Sequence, residues 1–318
     1  MALPEQTERK EHSLYARDDL FVPLEYTSND AEMIAKPSIS YWKDAWMRLS
    51  GNKLSMAGLS MLIFLVLMAI FGPMITPYSY DHQVLTEGNL PPSAEHWFGT
   101  DNLGRDMFTR TWNGARISLF VGFMAAFIDF IIGVAYGGFS GYKGGRTDNF
   151  MMRIIEILYG LPYLLMVILL MVVMGPGLFT IIVALTVTGW VGMARIVRGQ
   201  VLQLKNAEHV LASRTFGASA GRVIRKNLLP NTMGPIIVQM TLTVPTAIFA
   251  EAFLSFLGLG VQAPVASWGV MANDGLSVIL SGHWWRLFFP AFFISLTMFA
   301  FNVLGDGLQD ALDPKLRR

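Results

Sequence analysis

Cysteine is absent from the 318-residue chain. Structural disulfides, thiolate metal sites, thiol nucleophiles and a lipidated cysteine are therefore excluded. Charge is scarce as well: 15% of residues are Asp, Glu, Lys or Arg, where soluble domains carry about a quarter. The 24 basic and 23 acidic residues nearly cancel, and no nucleic-acid partner is expected. There is no Gly-x-x-x-x-Gly-Lys-Ser/Thr phosphate loop, and the nearest glycine cluster, Gly141-Tyr142-Lys143-Gly144-Gly145-Arg146, has the wrong order. The histidines at 12, 82, 96, 209 and 283 show no paired metal-ligand spacing, and no Gly-x-Ser-x-Gly elbow occurs. No catalytic residue, metal or cofactor is expected on this chain.

What the chain has instead is apolar length. Hydrophobic residues make up 53% of it and the mean hydropathy is +0.45. A helix rises 1.5 Å per residue against a hydrocarbon layer of about 30 Å. Six stretches meet that length: Leu54 to Ile75, Ile117 to Tyr136, Ile154 to Met174, Leu178 to Val197, Met233 to Leu254 and Leu287 to Leu304. An all-α integral membrane protein of six spans is expected. The first 53 residues carry Glu5, Glu8, Glu11, Asp18 and Asp19 with no apolar core before Leu54, so they read as an uncleaved arm. Within it, Tyr41, Trp42, Ala45, Trp46 and Leu49 recur at helical spacing beside Lys43, Arg48 and Lys53. Two readings fit that pattern: an interfacial helix on anionic lipid, or a helix packed on another subunit. Lys and Arg concentrate at 143–153, 195–226 and 315–318, which places both termini in the cytoplasm under the positive-inside rule.

Few ionisable residues enter the spans. Asp129, in the middle of the second, costs at least about 2.5 kcal/mol unless it faces water or a partner, so it is a candidate for the translocation pathway or for an inter-helix bond. Glu251, near the outer end of the fifth, is the second pathway candidate. Arg153 and Glu156 are one turn apart and suit a local ion pair; Arg195 and Arg198 suit snorkelling. Pro162, Pro245, Gly189 and Gly192 permit kinks or close helix contact. Residues 77–116 are too long for a turn and are expected to fold externally, with Met107 to Trp112 as an interfacial helix.

The segment VLASRTFGASAGRVIRKNLLPN, Val210 to Asn231, lies between two spans. Gly217 suits the positive φ that ends a helix, Ser219 suits a cap for a second, and Pro230 is expected to break it. Two short helices at a corner form a plug for a soluble partner, with Arg214 and Phe216 as its anchor; a pair resting on headgroups is the alternative.

Ala212-Ser213, Gly217 and Leu229-Pro230 stand at the spacing of the cytoplasmic loop signature of ABC importer permeases. Leu211 and Asn227 occupy its glutamate and isoleucine positions. His96-Trp97-Phe98-Gly99-Thr100-Asp101, Gly104-Arg105-Asp106 and Gly114-Ala115-Arg116-Ile117-Ser118-Leu119 resemble the C-type permease of oligopeptide and dipeptide importers. So do Glu251 to Gly260 and Ala266-Ser267-Trp268-Gly269. The resemblance runs from about Ser40 to the C-terminus. It implies a type I importer permease fold with a cytoplasmic coupling helix in the bacterial plasma membrane. Its segments would be a cytoplasmic arm (1–53), a first transmembrane helix with an external loop (54–116) and a five-helix core (117–318) with a coupling loop at 205–230. It implies a homologous second permease, two cytoplasmic ATPases that hold ATP and Mg, an external peptide-binding protein, lipid, and oligopeptide as the substrate. Dipeptide, nickel or opine import, and a membrane sensor or scaffold, are the alternatives. Ala212, Ser213, Arg214, Phe216, Gly217, Leu229 and Pro230 would couple to the ATPases. Gly99, Thr100, Asp101, Gly104, Arg105 and Asp106 would form the external signature.

Overall fold

The computed structural model describes residues 40–313. By compactness the chain divides into Met1–Lys43 and Asp44–Arg318; most of the first unit, including its acidic residues, lies outside the described residues. The helices are α1 (Tyr41–Gly51), α2 (Lys53–Phe71), α3 (Met107–Lys143), α4 (Gly145–Gly160), α5 (Tyr163–Met174), α6 (Leu178–Leu204), α7 (Glu208–Thr215), α8 (Ala220–Val223), α9 (Leu229–Phe256), α10 (Trp268–Leu276) and α11 (Trp285–Leu312). Among the described residues no strand forms; the one extended pairing is an isolated bridge between Thr100 and Asp106.

Among the described residues five helices are long and apolar enough to cross a membrane: Lys53–Met74, Met107–Lys143, Leu178–Leu204, Ala220–Phe256 and Trp285–Leu312. The expected third span, Ile154 to Met174, is not one helix. It is the bent pair α4 and α5, turned by 83° at Leu161 and Pro162. Proline has no N–H to donate and disfavours helical φ/ψ in the residue before it, so the helix ends where Leu161 takes ψ 131°. Met107 to Trp112 is no separate interfacial helix either: it is the first turn and a half of α3, and its apolar side chains are buried.

α3 is the central element, packed on α6, α9, α2 and α10. Its contact with α6 is possible because Gly133, Gly137 and Gly141 recur every fourth residue and form a smooth stripe. A Cβ on Gly133 would meet the Met193 side chain, one on Gly137 the Ala194 carbonyl, and one on Gly141 the Arg198 carbonyl. Helix ends are closed by side chains: Asn52 Oδ1 accepts from the N–H of Leu54 and Ser55. At the other end of α2, Arg116 donates to the carbonyls of Ala69 (2.6 Å) and Ile70 (2.7 Å). Those bonds satisfy carbonyls that the helix itself leaves unpaired.

Candidate translocation and coupling site

The segment after α6 folds as a corner. α7 ends in a left-handed cap: Gly217 takes φ +78°, its N–H donates to Arg214, and Ala218 N–H reaches back to Ser213. That is the paired bonding by which a glycine terminates a helix. Ser219 stands at the N-cap position of α8 but its hydroxyl makes no cap bond. Pro230 does not break the following helix, contrary to the sequence expectation. Ile224–Leu228 form one wide π turn, Pro230 follows it in the first turn of α9, and the chain is helical from Ala220 to Phe256.

The corner has a dry inner face and a bare outer one. Val210, Val223 and Leu228 are fully buried against Met193, Val197 and Val201 of α6 and Ile236 of α9. Outside, Phe216 is 90% exposed and Leu211 44%; Ala212, Arg214, Gly217 and Pro230 are exposed beside them, while Ser213 and Leu229 are half-buried. Arg214 lies 5.9 Å from the Tyr142 ring centroid. Asn227 Nδ2 donates to Ser213 Oγ at 2.8 Å, tying the two arms of the corner together. In the sequence Asn227 is only a departure from a motif; its partner is 14 residues away and no local signal marks it.

The two spanning carboxylates are buried and stand apart. Asp129 faces Gly189 of α6, where a Cβ would collide with its carboxylate, and its Oδ1 has no hydrogen-bond partner among the described residues. Glu251 is inaccessible and fully engaged, accepting Ser118 Oγ at 3.2 Å and Ser255 Oγ at 2.7 Å. Ser118 also accepts the N–H of Trp268, so Glu251 pins α3, α9 and the start of α10 together. Ser118 and Asp129 are eleven residues apart on α3, about 16 Å along its axis. The two carboxylates therefore do not share a site.

The connection before α3 is a buried polar knot. Asp101 accepts from Arg105 Nε at 2.6 Å and lies 3.4 Å from Arg110. Asp106 caps α3 through Thr109 N–H and takes His96 Nδ1 at 2.9 Å. Trp285 Nε1 donates to the Thr100 carbonyl, and Arg286 donates to Asn89 and Asn102. Gly99 and Gly104 have φ of +74° and +72° and are filled against backbone and Trp285, so only glycine fits. Thr100, Asp101, Arg105 and Asp106 are all buried. Their side chains are spent on bonds within the loop, and Leu85, Ser93 and Trp97 are among the residues it exposes. Burial pushes the Asp274 carboxyl above the usual carboxylate range; Arg110, Arg286 and Arg105 oppose that, and Asp101 adds to it.

Residues 130–318 match the family model of the binding-protein-dependent transport system inner membrane component, and residues 40–92 match the N-terminal transmembrane domain of oligopeptide transport permease C. A dipeptide transport system permease protein of Bacillus subtilis is 73% identical, covering all of both chains. An oligopeptide transport system permease protein of the same organism is 62% identical over 94% of this chain and 98% of its own. The oligopeptide counterpart of Escherichia coli is 42% identical over 92% of this chain and 97% of its own. Among solved structures, an inward-facing form of the MetNI methionine ABC transporter superposes with a TM-score of 0.52 at 21% identity, covering 63% of this chain and 94% of that one. That likeness concerns the fold.

Proposed function

The chain belongs to the binding-protein-dependent inner membrane transport components, and from that premise we propose that it is one permease subunit of an ATP-driven importer of short peptides. The observation that carries the reading is the corner at Phe216: an exposed aromatic beside Arg214, mounted on a base whose apolar residues are fully buried between α6 and α9. A rigid projection of that kind transmits a push from a soluble partner to two spans at once. Phe216, Arg214, Gly217, Ala212 and Ser213 make the contact, with Leu229 and Pro230 at its root. ATP and Mg belong to two ATPase partners on the cytoplasmic side, a homologous permease completes the path, and a binding protein delivers peptide to the surface around residues 77–106. Both termini lie in the cytoplasm of a cell whose plasma membrane holds the complex. Residues 1–53 act as the arm, 54–116 as the first span with its external loop, and 117–318 as the core.

The relative at 73% identity is named for dipeptides and that at 62% for oligopeptides, which supports substrates from two residues upward. Uptake of labelled di- and pentapeptides by cells with and without this chain tests the reading. Uptake of either that depends on the chain supports it; uptake that does not change when the chain is removed refutes it.

A further inference from the structure

α5 has 12 residues, about 18 Å of helix, against a hydrocarbon layer of about 30 Å. α5 is too short to cross that layer alone, and we take the bent pair α4 and α5 as one broken span, which puts the break at Leu161 and Pro162 at membrane depth. Tyr159, Gly160, Leu161 and Pro162 are all exposed on this chain. The first turn of α5 has no side-chain cap, and its first backbone bond back is Met166 N–H to Pro162, which leaves the preceding N–H groups in need of water. Irregular backbone at membrane depth is tolerated only inside protein or along a water-filled cavity, never against lipid.

The face of α4 that precedes the break is polar where it meets α6. A cavity of about 800 Å³ lies between α4 and α6, with Asn149, Met152, Arg153, Glu156, Arg195 and Arg198 on its walls. Arg198 is neutralised by Asp148, and Arg153 by Glu156 at 3.0 Å. Arg195 is different: it stacks 4.7 Å from the Tyr159 ring centroid, and among the described residues no carboxylate lies within ion-pair distance of it. The cavity wall thus keeps one uncompensated guanidinium, a fork that matches a carboxylate.

We propose that the α4/α5 break and the Arg195 face of α6 line the aqueous translocation path, and that Arg195 meets the carboxylate of the peptide moving through it. The second half rests on the peptide-import reading; the first does not. In the thiol-free chain, Leu161→Cys within the assembled transporter reacts with a charged methanethiosulfonate added from the cytoplasmic side, at a rate comparable to Gly145→Cys. Reaction only with an uncharged, membrane-permeant maleimide, or with neither reagent, overturns the aqueous lining. Arg195→Gln raises the KM for a free-acid peptide about tenfold relative to its C-terminal amide, the loss of one good charged hydrogen bond, while Arg195→Lys, which keeps the charge but not the fork, keeps part of the preference. An equal change for acid and amide overturns the carboxylate contact. A wild-type complex that takes up no peptide removes the import reading and the carboxylate contact together, and the Leu161→Cys labelling still decides the lining.

Discussion

Asp148 accepts both Nε and Nη2 of Arg198 at 2.6 Å each, across 50 residues of sequence. Ser140 Oγ, near the end of α3, completes the carboxylate at 2.5 Å. This fork fastens the start of α4 to α6 at the end of α6 that leads into the Phe216 corner. Desolvation works against the pair, but two parallel charged bonds and a third from a hydroxyl outweigh it.

Arg198→Gln therefore destabilises the chain by about 2 kcal/mol, the size of a charged hydrogen bond lost at a partly buried site. Thermal unfolding in detergent reads the loss. Asp148→Asn combined with Arg198→Gln costs less than the sum of the two single changes; strict additivity would show that the fork contributes nothing as a pair.

Gly217 sits at φ +78° with open space around it, so only backbone strain opposes a side chain there. Gly217→Asn, which tolerates left-handed geometry, retains peptide-stimulated ATP hydrolysis by the assembled complex. Gly217→Val costs about 1–2 kcal/mol locally and abolishes that stimulation while the subunit still inserts and assembles. Normal stimulation in the valine variant contradicts a role for the cap in coupling.

Asp274 supplies a pH test, because burial raises its pKa in the folded state. A raised carboxylate pKa means that the native state holds the proton more tightly than the unfolded chain, so its favourable contribution is present at low pH and is lost as pH rises through the folded value. Asp274→Asn removes that dependence. The melting temperature of the variant relative to wild type should climb between pH 4 and pH 8, and a difference that is flat or falls with pH would rule the account out.

Sidedness is read by cysteines in the naturally thiol-free chain. Ser93, Gly145 and Ser219 are all exposed positions. In intact cells an impermeant reagent labels Ser93→Cys and spares Gly145→Cys and Ser219→Cys. Labelling of Ser219→Cys from outside would invert the proposed topology and move the Phe216 corner away from any cytoplasmic ATPase.

Much of the architecture was legible from residues alone. Apolar length is a local property, and the absence of cysteine, phosphate loop and paired metal ligands is read directly, so membrane residence followed from composition. Gly217 was also legible, since a helix followed by glycine, a cap residue and a second helix specifies a corner through short-range backbone geometry. The outcome at Pro162 and Pro230 was not. One stands at a bend of 83° and the other inside a stretch that is helical from Ala220 to Phe256, and the difference lies in the π turn at Ile224–Leu228 and in what packs around it.

Hydropathy, charge placement and motif spacing are written along the chain, and they were enough to establish that it lives in lipid, carries a positively charged corner between two spans and belongs with importer permeases. Folding was needed to reveal that Asn227 braces Ser213, that Asp148 holds Arg198, that Glu251 is pinned by Ser118 and Ser255, and that the external signature is a buried knot. Each of those joins residues from distant helices or across a turn. A side chain's partner is set by how helices stack, and here the glycine stripe of α3 set that stacking by letting α6 approach until backbone met backbone.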